Sequence, residues 1–126
     1  MNGSFDPETL RLLNEIKEVW IETRRDEDAP EHRTIIWVVT VNGDVFVRSV
    51  RGEKGRWYWE VSANPSAALH AGDNRIPVRA VPVTDDPTVG AVSEAYRSKY
   101  GRTSPGSTRA MLQPETLPTT LKLEPA

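Results

Sequence analysis

Residues 34–50 read TIIWVVTVNGDVFVRSV. Eight apolar or β-branched residues lead into Asn42-Gly43-Asp44, and a second apolar run, residues 45–50, leads out. Asn-Gly tolerates the positive φ angles of a two-residue turn whose twist suits two antiparallel strands. The stretch therefore predicts one long strand over 34–41, a tight turn, and a partner strand over 45–50. This hairpin fixes the class of the fold, and the rest of the chain is read outward from it.

Downstream, positive charge gathers where the second strand ends. Arg48, Arg51, Lys54 and Arg56 lie within nine residues, with only Glu53 against them, and Trp57, Tyr58 and Trp59 follow. GEKG (52–55) reads as a turn. RWYWEV (56–61) suits a strand or a short helix, since three consecutive aromatics carry no period. ANPS (63–66) is a turn or helix end. AALHAG (67–72) and RIPVRAVPV (75–83) read as two strands around Gly72-Asp73-Asn74. Pro77 and Pro82 cannot donate to a ladder, which predicts an edge, a bulge or a barrel corner there.

Upstream, Asp6-Pro7 offers a capping side chain and a proline at the first helical position, predicting a helix over 6–18 with Leu10, Leu13 and Ile16 on one face. Residues 19–23, VWIET, suit a strand, and the charged run RRDEDAPEHR (24–33) reads as a solvated loop. Toward the C-terminus, Asp85-Asp86-Pro87 opens a helix over 87–100 that Gly101 stops. GRTSPGST (101–108) reads as a loop, and TTLKLEP alternates as a closing strand over 119–124. Helix, about five strands over 19–83, helix and strand describe a mainly β chain with flanking helices, one small antiparallel barrel domain over 1–126.

The totals limit function. At 126 residues with a net charge of -2, the chain lacks the basic excess of a general nucleic-acid binder, so an anion site has to be local. Without cysteine there are no disulfides, thiolate metal sites or thiol nucleophiles. No apolar run approaches the ~20 residues of a membrane span, and MNGSFDPETL has no apolar signal core, so a cytoplasmic location is expected. A hydrophobic fraction of 37% leaves a small core, which a homodimer would extend. His32 and His70 have no carboxylate at metal-ligand spacing, so no metal is expected; His32 reads as solvated and His70 as outward-facing. Trp20 and Trp37 lie in apolar strands and read as core. No nucleophile elbow or phosphate-binding Walker loop is present, and no catalytic residue is assigned.

The run RTIIWVVTVNGDVFVRSVRGEKGRWYWEVSANP resembles the FMN- and deazaflavin-binding split β-barrel proteins. The likeness is carried by Arg33-Thr34, the Gly43-Asp44 turn, Ser49-Val50-Arg51-Gly52, Trp57-Tyr58, Ala63-Asn64-Pro65 and the hairpin beginning over 69–72. SEAYRSKYG and TTLKLEP look like a small bacterial family within or near that class. The resemblance implies an antiparallel split β-barrel of the FMN-binding type, a homodimer with its site at the subunit interface, and a flavin-type cofactor that serves an oxidoreductase acting on a small organic substrate.

It also implies that the basic strand end holds the cofactor's phosphate. Arg48, Ser49, Arg51 and Gly52 would form that end with Arg33 assisting, and Trp57 and Tyr58 would border the ring or the second subunit. Arg48 and Arg51 alternate along a strand, so they meet at one phosphate only if the chain turns at Arg51-Gly52. Asp26-Glu27-Asp28 stands where deazaflavin-binding relatives are basic, and Glu60 where asparagine is common, so FMN is favoured over deazaflavin. The alternative is a dimeric barrel that has lost its cofactor, in which Arg48→Ala would change stability little.

Overall fold

A computed structural model describes residues 5–126; residues 1–4, part of the stretch read above for a signal core, lie outside it. The elements in order are α1 (Pro7–Glu15), β1 (Val19–Thr23), β2 (His32–Ile36), β3 (Val39–Val41), β4 (Asp44–Val47), α2 (Arg56–Ala63), β5 (Ser66–Ala71), β6 (Asn74–Pro82), α3 (Asp86–Tyr100), α4 (Pro105–Met111) and β7 (Leu121–Pro125). All seven strands share one antiparallel sheet, ordered β2-β1-β5-β6-β7-β4-β3.

The two edge strands of that order are neighbours in sequence. β2 pairs with β1 and β3 pairs with β4, so the run 34–41 is not one strand: Trp37 and Val38 carry the chain from one edge of the curled sheet to the other. The sheet closes on itself through this covalent crossover instead of a ladder, and that gap is the split of a split β-barrel. Alternation runs on through the crossover, with Ile36 inward and Trp37 outward before it. Val38 joins the barrel interior, while Val39 faces outward with Phe46.

The hairpin forms as its turn chemistry requires. Asn42 and Gly43 hold φ of 51° and 85°, and Val41 stands opposite Asp44. Inward-facing residues of the curled sheet, including Val19, Ile21, Ile36, Val45, Val47, Leu69, Val78 and Leu123, bury one core that Leu13 of α1 and Trp57 and Val61 of α2 close. A second cluster, Val92, Tyr96 and Tyr100 of α3 with Met111, packs against Val39 and Phe46 on the outer face. β7, far away in sequence, is central; it pairs with both β6 and β4.

Several expectations needed correction. The first helix stops at Glu15, and β2 begins at His32, inside the run read as loop. Residues 105–111 form α4 where a loop was expected, proline taking its first turn, while RWYWEV, open between strand and helix in the sequence, is helical. β6 is an interior strand despite its prolines. Pro77 accepts from Ala126 on the β7 side, so its nitrogen faces past the end of that ladder; Pro82 lies beyond the first β5 residue. Trp20 is 47% exposed and not core, because it shares the outer face of β1 with Ile35 opposite it on β2. Among the described residues, no helix is long and apolar enough to cross a membrane.

Candidate functional site

The split opens a cavity of about 750 Å³. Thr34, Ile35 and Ile36 of the β2 edge form one wall and Trp37 the crossover. The turn after β4 (Arg48 to Arg51) and the start of α2 (Gly55, Arg56, Trp57) form the other; Lys17 and Glu18, then Ser104, Ser107 and Met111 of the α4 region, complete it. Lys17, Arg51 and Arg56 line it with one carboxylate, Glu18, so the cavity is locally cationic in a chain of net charge -2.

The sequence builds this turn with two glycines. The chain does turn at Arg51-Gly52: Gly52 donates to Ser49 O at 2.9 Å and has φ of 66°. A Cβ there would lie 2.9 Å from Glu115 O, so a side chain is excluded by both conformation and contact. At Gly55 a Cβ would overlap Ser49 Oγ. Gly55 is also the N-cap of α2 and carries no capping side chain, so the first-turn amides of that helix begin at the cavity wall without a side-chain acceptor.

Arg48 lies elsewhere than the sequence implied. It is fully buried, and its guanidinium is spent inside the protein. Nε donates to Thr120 Oγ1 at 2.8 Å, one terminal nitrogen to Ser93 Oγ at 2.9 Å and Met111 O at 3.1 Å, and the other to Val89 O at 2.8 Å. The charge lies 5.5 Å from the centre of the Tyr96 ring. Among the described residues no carboxylate pairs with it, and burial pulls its pKa below the usual arginine value. Arg48 therefore braces α3, the end of α4 and the approach to β7, and in this geometry it is not a free phosphate ligand.

The other expected site residues divide. Ser49 is buried with its amide on Thr119 Oγ1 at 3.0 Å, and it lines the cavity beside exposed Arg51. Gly52 shapes the turn from behind. Trp57 reaches the cavity but is otherwise core, set edge-on to Tyr58 at 6.2 Å; Tyr58 packs against the core away from the cavity. Arg33 stands outside it, exposed on β2 and bonded to Glu31 at 2.8 Å.

Sequence reasoning missed Arg56 as a site residue, though it belongs to the basic run, and missed Trp37. The Trp37 ring lies flat on Tyr100 with centroids 3.8 Å apart and 4° between planes, and it lines the cavity. Tyr100 in turn donates to Lys17 O at 2.6 Å, and Lys99 donates to Val38 O and Leu13 O, so the end of α3 clamps the crossover. Burial lowers the Lys99 pKa to about 8.

Both histidines pair with buried carboxylates far away in sequence, against the expectation that they were solvated or outward-facing. His70 Nε2 meets Glu22 Oε1 at 2.8 Å, and Arg75 grips Glu22 with bonds of 3.2 and 3.0 Å. Hydrogen bonds from Arg75, with those of His70 adding, lower the Glu22 carboxyl to about 2 against the opposing effect of burial. His32 Nδ1 meets Glu60 Oε2 at 2.7 Å, and Thr23 Oγ1 donates to Glu60 Oε1 at 2.7 Å.

The fold is shared with solved structures at low identity. The heme storage protein HutZ from Vibrio cholerae is 14% identical with a TM-score of 0.66, over 98% of this chain and 91% of that one. An F420-H2 dependent reductase is 17% identical with a TM-score of 0.63, over 85% and 92%. A domain-swapped dimer is 16% identical with a TM-score of 0.62, over 93% of each chain. At such identities the likeness is one of fold, the split β-barrel. No curated protein matches the chain. A family model described as "Uncharacterized protein conserved in bacteria (DUF2255)" matches residues 9–123, and the chain belongs to this DUF2255 family.

Proposed function

We propose that the cavity at the barrel split binds a phosphate-bearing, flavin-type cofactor, FMN foremost, and that the chain serves as an oxidoreductase for a small organic substrate. The observation that carries this reading is the convergence of Arg51, Arg56 and the uncapped start of α2 on one wall of a cationic cavity large enough for a ring system. Arg51 and Arg56 supply forked donors to the phosphate, and the first-turn amides of α2 add aligned dipoles. Thr34, Ile36 and Trp37 on one side and Trp57 on the other make the cavity apolar enough to take a flat ring. Arg48, fully engaged in protein bonds, contributes buried positive charge and rigidity behind that wall instead of a direct contact.

The functional unit in this reading is a homodimer. Trp20 and Ile35 stand opposite each other on the outer face of β1 and β2, 47% and 48% exposed, and Ile35 also borders the cavity. Covering this pair with a second copy would bury apolar area and wall the cavity at the same time. Fold likeness to a heme storage protein and an F420-H2 dependent reductase is compatible with a cofactor role for the split. Titration of the purified protein with FMN, followed by absorbance and melting temperature, tests the reading.

A further inference from the structure

We propose that His32 and Glu60 form a proton-exchanging dyad beside the cavity, one strand step beyond its lining residue Thr34, with His32 Nε2 as the position that gives or takes the proton. The inference rests on the cofactor reading only for the ligand it would serve; the dyad itself rests on the geometry that follows.

Glu60 is 5% exposed, and its two oxygens are taken by Thr23 Oγ1 and His32 Nδ1, both at 2.7 Å. A buried carboxylate needs a compensating partner. Glu22, its neighbour across β1, has a permanent cation in Arg75 and is held ionised. Glu60 has no such partner among the described residues. Thr23 is neutral and His32 is its single ionisable contact, while Arg33 and Arg24 both turn to Glu31. The buried Glu60 thus has a histidine where Glu22 has an arginine as well. A carboxylate on Nδ1 fixes that nitrogen as the donor, which leaves Nε2 as the variable site on a side chain 35% exposed.

The placement ties the dyad to the cavity by two routes. His32, Thr34 and Ile36 share one face of β2, and the latter two line the cavity, so His32 is about 7 Å along the strand from Thr34. Glu60 follows Arg56 by one helical turn, about 6 Å along α2, and Arg56 lines the opposite wall. Neither residue lines the cavity itself, so a ligand reaches Nε2 only by extending past Thr34. In the transfer, the Nε2–H bond breaks and the proton passes to a nitrogen or oxygen of the ligand. The neutral ring keeps its Nδ1–H on Glu60, and water restores the proton at Nε2.

The test is ¹⁵N NMR of the histidine ring nitrogens across pH, with and without FMN. Wild-type His32 is expected to keep the proton on Nδ1 while Nε2 exchanges, and Glu60→Leu, which removes the acceptor, is expected to lose that signature and show the Nε2–H form. FMN is expected to shift the Nε2 resonance. A wild-type ring protonated on Nε2 and bare on Nδ1, or a tautomer unchanged in a folded Glu60→Leu, overturns the dyad; if that variant does not fold, the wild-type tautomer decides. FMN that binds without moving Nε2 overturns the link to the cavity and leaves the cofactor reading intact. FMN that does not bind defeats the cofactor reading, and the tautomer then decides the dyad alone.

Discussion

Arg48 Nε donates to Thr120 Oγ1 at 2.8 Å across 72 residues of sequence, joining the end of β4 to the approach to β7. With its bonds to Ser93, Met111 and Val89, this one guanidinium satisfies polar groups from three further positions in α3 and α4.

Removing it therefore orphans buried partners as well as leaving a void. Arg48→Ala is expected to destabilise the fold by about 3–5 kcal/mol in urea unfolding. Arg48→Lys recovers only part of this, since one ammonium cannot reproduce the spread of donors. A loss under about 1 kcal/mol would show that Arg48 is not a brace, as the cofactor-free reading of the sequence expected.

Arg51 and Arg56 are both exposed and line the cavity, so their loss acts on binding and not on folding. Arg51→Ala and Arg56→Ala are each expected to weaken FMN binding roughly ten- to a hundredfold, as one charge-assisted phosphate contact would. Melting temperature without ligand should stay close to wild type. Fluorescence titration of FMN reads the effect, and weaker binding of riboflavin than of FMN in the wild type assigns it to the phosphate.

Trp20 and Ile35 carry the dimer proposal. Trp20→Asp or Ile35→Asp is expected to give a folded monomer by light scattering, with circular dichroism unchanged. A wild type that is monomeric at high concentration would rule out this interface.

Glu22 predicts an acid limb. Its folded-state carboxyl is lowered from 4.5 to about 2, so its contribution is complete above pH 4.5 and is lost as pH falls toward 2. Arg75 is 55% exposed and solvent screens part of the interaction, so the contribution is about 1–2 kcal/mol. Glu22→Gln should lower stability at pH 7 by that amount and flatten the dependence between pH 4.5 and 2, measured by urea unfolding at each pH.

The hairpin at Asn42-Gly43 was legible because turn chemistry is local, and so were the Asp6 and Asp85 caps, which accept from Thr9 and Thr88. The break at Trp37-Val38 was not. A continuous apolar run hides a change of sheet edge, because alternation continues through it, with Val38 buried on the inner face and Val39 on the outer. Arg48 shows the same limit. Strand alternation put it with Phe46, but only tertiary structure reveals that α3 covers that face and supplies acceptors. The basic run did mark the cavity. Which of its arginines face the cavity depended on the turn at Gly52 and on α2, where three aromatics had left helix and strand equally open. The histidine–glutamate pairs cross strands and a helix, 28 and 48 residues apart, and no local pattern announces them.

The most direct test of the central claim is a titration of wild-type protein with FMN, reading flavin absorbance and melting temperature together. Binding at one FMN per chain, with a melting temperature that rises with ligand concentration and a flavin spectrum displaced from that in water, is the predicted result. Unchanged absorbance and an unmoved melting temperature at millimolar FMN would contradict a flavin phosphate site at the split.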